Sequence, residues 1–475
     1  LAAQTLNDSI GKLLEAPAAQ RAVWAVHAVD LATGRVIADQ NAGVPMTPAS
    51  NTKLYSTALG LLRLGPDYRF ETRVFGPAQP GADGRLRGDL RLAGGGDPTL
   101  SARVIPYQKG PIDGDPLRPL AELADQIVQS GVRVVEGDLI GDDSRWPWQP
   151  FPEAWSIGDM VWEYGAPVSA LVLNDNAVAL HIRPGKSPGD TAAITVNPPV
   201  EHFTIFNSLR TVAGAQRKIS VDRLPASRVL QVSGVAAPNG GAASQLIAID
   251  DPALFAAEAL AQLLRARGVV IQGAVRARHR MPGVAYAEPE GVVLARRVSP
   301  PLVETLRVIN KVSQNLHAEM VLREVGRVRK NEGTADAAQQ EMTEFLTGLG
   351  VDSKDYNLED GSGLSRRTLV TAATTTTLLR YMHQSAQRDT FWSLLPIAGE
   401  DGSLASRFRG VRNAAEIRAK TGSVSHVAAL AGYAGADPDH RVAFSIMVNN
   451  YTAPSSEIRA LIDKIAVAIL EEGKR

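Results

Sequence analysis

Three short groups of side chains in this chain have the types and spacing for nucleophilic chemistry: Ser50 and Lys53 in "PASNTKLYSTALGLL", Ser313 and Asn315 in "SQN", and Lys420, Thr421 and Gly422 in "KTG". A serine hydroxyl attacks a carbonyl poorly unless a base takes its proton. The helical pattern that follows residue 50 sets Ser50 and Lys53 one turn apart on one face, within reach of each other. A free lysine amine titrates near about 10.4. Service as a base therefore demands a depression of roughly 3 units, about 4 kcal/mol, which burial and a second cation supply. Lys420 is the candidate cation. Ser313 can relay a proton to a leaving amine, and Asn315 can hold either Lys53 or a substrate amide. Thr421 and Lys420 together suit a carboxylate, one by hydroxyl and one by charge. The backbone N–H groups of Ser50 and Ser423 are the candidate oxyanion donors, each worth roughly 3 to 4 kcal/mol. The chemistry predicted is acyl transfer from a peptide or amide ending in a carboxylate, through an acyl-serine.

No single group carries that reading. Ser9 and Lys12 repeat the serine–lysine spacing, and serine near a helix start is commonly a cap. The "SQN" triplet alone reads as a turn between helices, and "KTG" alone as an exposed edge strand. The signal is the occurrence of all three, in this order and on these element types.

The elements that must position them follow from periodicity. Residues 4–15 read as a helix, residues 22–43 as a hairpin across Ala32-Thr33-Gly34, and the stripe Leu54, Ala58, Leu61, Leu62 as a helix stopped at Gly65-Pro66. From about 70 to 295 the chain alternates in short runs cut by Pro and Gly, a β-rich texture with one or two helices such as 252–267. Helical texture returns at about 296. Two or three strands and a last helix, 455–472, close the chain. The two ends share α/β character, so the economical organisation is one α/β domain interrupted by a β-rich insertion of one or two modules. The boundaries expected are 1–69 plus 296–475 for the first, 70–165 plus 240–295 for one insertion module, and 166–239 for another.

Bulk composition narrows the chemistry. Lys plus Arg and Asp plus Glu number 50 each, giving no electrostatic reason to expect nucleic acid as a partner. Zero cysteine excludes disulfides, thiolate metal sites and a cysteine nucleophile. The histidines lie scattered without ligand spacing, so no metal and no cofactor are expected. Gly185, Ser187 and Gly189 satisfy an esterase-elbow pattern, but the next residue, Pro188, has no N–H for an oxyanion hole. The same "GKS" is no phosphate loop, because Leu180 stands where the first glycine is needed. The "GGGDPTL" stretch lacks the lysine and following helix, and reads as a tight turn. No apolar run reaches transmembrane length. A leader peptide already removed is the expectation for the start "LAAQ".

With these residues in place, the sequence resembles the penicillin-binding proteins and serine β-lactamases, whose motifs are Ser-x-x-Lys, Ser-x-Asn and Lys-Thr-Gly. The long separation of Ser50 from Ser313 resembles the class C low-molecular-mass penicillin-binding proteins of the penicillin-binding protein 4 type. Stretches such as "LAGGGDPTL", "GDLIGDDSRW", "YGAPVSALVLNDNAV", "DGSGLS" and "LPIAGEDGSLASRF" extend the likeness over essentially the whole chain. The resemblance implies a transpeptidase-like α/β domain, an antiparallel sheet with helices, carrying the insertion. It implies D-alanyl-D-alanine carboxypeptidase or endopeptidase activity on peptidoglycan stem peptides, acylation by β-lactams, and residence in the periplasm or cell envelope. Ser50, Lys53, Ser313, Asn315 and Lys420 would be catalytic; Thr421, Gly422 and Ser423 would bind substrate. It also implies an insertion acid that engages a substrate amine, carried onto Asp142 with Asp143 as the alternative. Ser423 stands where the family usually has Thr, and Gln314 where β-lactamases commonly have Asp. A β-lactamase and a non-catalytic wall-binding scaffold are the rival readings.

Overall fold

A computed structural model describes residues 5–474 apart from 111, 113 and 226. Residue 4, where the first helix was expected to begin, lies outside the described residues, as does the start of the chain. The helix itself runs Leu6–Leu14, held by a Thr5 cap whose hydroxyl accepts from the Asp8 N–H.

The two ends of the chain build one antiparallel sheet. Its strand order is Val36–Gln40, Val23–Asp30, Val442–Asn449, Val427–Ala434 and Ile417–Val424. Strands Val427–Ala434 and Val442–Asn449 are buried along their whole length, because helices cover both faces. Period-2 alternation sends Trp24, Val26, Leu430, Phe444 and Ile446 to one side, where helices Leu6–Leu14 and Ser455–Glu472 pack. Ala25, Ala429, Ala431, Tyr433 and Met447 face the other, against helices Thr52–Arg63 and Ala372–Gln384. The "KTG" strand Ile417–Val424 is the edge of this sheet; its first residues bond outward to residues 396–398, the Ala419 N–H to the Pro396 carbonyl and the Ala398 N–H to the Ile417 carbonyl, while Ser423 and Val424 border the cleft at Ser50.

The insertion leaves on strand Glu71–Gly76 and returns on Val292–Val298, which pair antiparallel with Glu71 opposite Val298. The expected boundary at 295/296 thus falls inside a strand. The first insertion sheet has the order Val275–Arg280, Leu139–Pro147, Leu90–Ala93, Glu71–Gly76, Val292–Val298 and mixes parallel with antiparallel pairs. A second sheet orders Ala243–Ala248, Ala177–Arg183 and Ala193–Asn197. The expected boundary at 239/240 separates the first two of these strands, which are hydrogen-bonded neighbours. One apolar core joins residues of both expected modules, among them Leu139, Leu260, Leu180 and Leu230. Hydrogen-bonding and burial therefore divide the insertion less sharply than its sequence texture.

The insertion packs back on helix Asn315–Lys330. Trp146 and Val168 sit against Leu316 and Met320, and the buried Glu324 carboxylate accepts from Arg145 and Arg327. Among the described residues no helix is long and apolar enough to cross a membrane.

Candidate active site

Helix Thr52–Arg63 is preceded by a single 3-10 turn, Ala49–Asn51, that carries Ser50. Ala49 has φ 46°, a left-handed conformation a non-glycine residue adopts at a cost of about 1–2 kcal/mol. Two glycines allow neighbouring segments to close on this turn. A Cβ on Gly422 would come 2.4 Å from the Pro48 carbonyl oxygen, and one on Gly363 would come 1.9 Å from that of Ala49. The edge strand and the loop 360–365 therefore both press backbone against the serine turn, a contact only glycine permits.

The three sequence motifs converge there. Lys53 is completely buried, and its Nζ lies 2.9 Å from Ser50 Oγ, 2.6 Å from Asn315 Oδ1 and 2.6 Å from the Ser362 carbonyl oxygen. An ammonium donates to all three. The neutral amine has two protons for Asn315 and Ser362, and its lone pair then faces the Ser50 hydroxyl. Burial brings Lys53 down to about 7, against the opposing charges of Asp360 and Glu319. Lys420, equally buried, donates to Ser313 Oγ at 2.8 Å and to the Thr421 carbonyl at 2.8 Å. Ser313 has φ 63°, a second non-glycine left-handed residue, at the break between helices Leu302–Lys311 and Asn315–Lys330. The Thr421 hydroxyl donates to Ser403 Oγ at 2.8 Å.

The expectation that Lys420 is the cation depressing Lys53 is revised. Desolvation is what lowers Lys53, whereas Lys420 is held well below its ordinary range by burial first and the charge of Lys53 second. The repulsion falls on the edge-strand lysine. Ser50 acylation should accordingly rise tenfold per pH unit up to about pH 7 and level off above it, as deprotonated Lys53 accumulates. A stopped-flow pH profile of acylation kcat/KM checks this.

Asp142 is not brought to the site. It lies on strand Leu139–Pro147 opposite Ala93 and Arg278, 3% exposed, with Arg91 and Arg278 guanidinium nitrogens at 3.7 Å. Asp143 accepts from Ser169 Oγ and His279 Nδ1, both at 2.9 Å. The "GDD" stretch is sheet interior, stabilised by its own cations, and not a turn over the serine. The insertion acid that does line the 360 Å³ cleft, with Ser50, Tyr164, Ser313, Arg366 and Ser423, is Asp159.

Sequence reasoning also missed the anchor of Lys53. Glu319, one helical turn beyond Asn315, accepts from the Gly361 and Ser362 N–H groups at 3.0 and 2.7 Å. That bond turns the Ser362 carbonyl toward Lys53. Burial, and then Asp360, push Glu319 up to about 7. The available signal was its i, i+4 spacing from Asn315 on a shared face. Because its charge raises Lys53, Glu319→Gln should move the acid limb of the acylation profile to lower pH. A merely structural loss would lower the plateau without moving the limb.

The sequence profile of the D-Ala-D-Ala carboxypeptidase 3 (S13) family matches residues 6–469. The chain belongs to the S13 family. It is 34% identical over 98% of its length to a D-alanyl-D-alanine carboxypeptidase of Actinomadura sp. (strain R39), covering 84% of that protein. It is 26% identical to the D-alanyl-D-alanine carboxypeptidase DacB of Haemophilus influenzae, over 89% of this chain and 84% of that one. The fold matches the crystal structure of penicillin binding protein 4 (dacB) from Haemophilus influenzae at TM-score 0.83, 23% identity and 98% coverage of both chains. Its complex with a novel β-lactam matches at TM-score 0.77 and 23% identity, over 98% of this chain and 99% of that one. Within the S13 family, the chain is a serine-type carboxypeptidase with a penicillin-binding-protein fold, as its three motifs imply.

Proposed function

We propose that the chain removes the terminal D-Ala of peptidoglycan stem peptides through an acyl-Ser50 intermediate, and that penicillins arrest it there. The observation that carries this is the Lys53 amine held between Ser50 Oγ and Asn315 Oδ1 with its proton affinity near neutrality. Neutral Lys53 takes the Ser50 proton as Oγ attacks the carbonyl carbon. The backbone N–H groups of Ser50 and Ser423 receive the oxyanion. The C–N bond breaks, and the leaving amine takes its proton through Ser313, which Lys420 orients. Water then hydrolyses the ester.

The terminal carboxylate docks on Thr421 and Ser403, beside Lys420. Its negative charge favours protonated Lys420, and a charged Lys420 in turn favours neutral Lys53. Substrate arrival thus helps to make the base. Asp159, in place of Asp142, is the acid available to a side-chain amine of the stem peptide. A substrate of this kind puts the enzyme in the cell envelope.

A penicillin leaves its amine tethered after ring opening, so the acyl-enzyme retains the leaving group in the cleft and turns over slowly. Incubation with a penicillin should add the whole drug mass to the proteolytic fragment containing Ser50, and a stem pentapeptide should lose D-Ala. A folded protein that forms no adduct sinks the proposal, and rapid turnover of the drug would instead favour a β-lactamase.

A further inference from the structure

The groups that would meet the leaving residue belong to a ring of contacts. Lys420 donates to Ser313 Oγ at 2.8 Å, and the adjacent Thr421 donates to Ser403 Oγ at 2.8 Å. Asp401 stands two residues before Ser403, and Lys311 two residues before Ser313. Lys311 Nζ donates to Asp401 Oδ2 at 2.5 Å, which closes the ring. Three segments meet in it: the end of helix Leu302–Lys311, the 3-10 turn Gly402–Leu404 and the edge strand Ile417–Val424.

This ion pair does not border the cleft at Ser50. The Lys311 side chain is 4% exposed and that of Asp401 20%. Arg307 and Arg418 crowd Lys311 with like charge, and Asp401 opposes them. The other oxygen of Asp401 accepts from the Ile397 N–H at 2.7 Å, in the segment that runs bonded beside the edge strand. Gly402, at φ 56°, lays the turn on the helix end, since a Cβ there would stand 2.5 Å from the Lys311 carbonyl oxygen. A buried ion pair is a weak source of stability, because desolvation offsets its attraction. What this one supplies is geometry.

We propose that Lys311 and Asp401 are positioning residues for the leaving group: their pair sets the separation between Ser313, which passes a proton to the departing amine, and the Ser403 and Thr421 hydroxyls, which hold the carboxylate of the same residue. The assignment rests on the acyl-Ser50 reading above. In an α-amino acid one carbon separates amine from carboxylate, so both anchors serve one leaving residue when their spacing is fixed. A misplacement of about 1 Å can cost roughly 100-fold in rate. With the pair broken, the turn can carry Ser403 away from Thr421. The carboxylate then loses its seat, while Ser50 and Lys53 keep their own contacts.

The test uses the full chain and two thioesters with the same acyl-D-Ala half, one releasing thioglycolate and the other its methyl ester. They differ in the carboxylate alone, and a thiolate departs without a proton from Ser313. Wild type should prefer the acid. Asp401→Asn removes the charge and keeps the shape. It should lower kcat/KM on the acid at least tenfold, chiefly by raising KM, and leave the ester within twofold. Lys311→Met should give the same split, and Lys311→Arg, which keeps the cation, should recover most of the acid activity. Ser403→Ala should also weaken the acid selectively. Adding Asp401→Asn to it should cost less than twofold more, because the two act through one contact.

Undiminished acid hydrolysis in Asp401→Asn and Lys311→Met overturns the assignment. So does full additivity with Ser403→Ala, or an equal loss on both thioesters by protein that still melts cooperatively. If those two variants do not fold, Asp401→Glu keeps the pair and lengthens its arm by one methylene; an acid preference equal to wild type then overturns it. A wild type that treats acid and ester alike overturns it while the acyl-Ser50 reading stands. A folded wild type that cleaves neither thioester and takes up no penicillin overturns both.

Discussion

Replacing Lys53 by methionine should slow acylation of Ser50 by about four orders of magnitude, the upper end of what a positioned base contributes. Methionine fills a similar volume, so the loss measures chemistry more than packing. The amine makes contact with Ser50, Asn315 and the Ser362 carbonyl, and among the described residues it is the hydrogen-bond partner of the Ser50 hydroxyl. Two oxygens, Asn315 Oδ1 and the Ser362 carbonyl, lose a buried donor, at a cost of about 1–3 kcal/mol each. The melting temperature should fall modestly while the fold persists. Stopped-flow trapping with a fluorescent penicillin, beside a thermal melt, separates the two effects. A Lys53→Met protein acylated within tenfold of wild type would remove Lys53 from its role.

Asp360→Ala should produce the largest loss of stability from a single site-proximal change, about 3–5 kcal/mol. Its carboxylate accepts from six groups: Trp155 Nε1, the Ser362 and Thr368 hydroxyls, and the N–H groups of Gly363, Leu364 and Ser365. Four of these belong to the loop 361–365, whose shape aims the Ser362 carbonyl at Lys53. Another comes from the insertion. Alanine leaves these donors buried and unpaired together. Acylation should fall about 100-fold as Lys53 loses its fixed acceptor. Asp360→Asn, which keeps one acceptor oxygen, should retain an intermediate share of both. Chemical denaturation and penicillin acylation read the two quantities, and an alanine variant as stable as wild type would contradict this account.

What the sequence made legible was what is contiguous. Ser50 and Lys53 are one turn apart, Ser313 and Asn315 flank one residue, and Lys420 and Thr421 are adjacent, so each pair announces itself in a few letters. Helix Ser455–Glu472 and the hairpin of Val23–Asp30 with Val36–Gln40 were readable for the same reason, as local periodicity. Groups that act across the fold were not readable. Ser403 meets Thr421, and Asp360 meets Trp155, only through tertiary packing. Two adjacent acids at 142 and 143 resemble a turn, yet Arg91 and Arg278 beside one, and His279 beside the other, let them lie within a sheet. Asp159 sits in a run with no regular period, where only its surroundings in space reveal the cleft it faces.

The pairing of Glu71 with Val298 also fixes an order of assembly. About 230 residues separate the two, and closing so long a loop of disordered chain costs about 5 kcal/mol of entropy. Once the insertion has folded, its ends stand side by side and that cost has already been met. The catalytic sheet, by contrast, sets Val23–Asp30 directly against Val442–Asn449. Its first strands leave the ribosome early and have no central neighbour until almost the entire chain is made. The insertion can be complete while the serine's own sheet still waits for its middle strand.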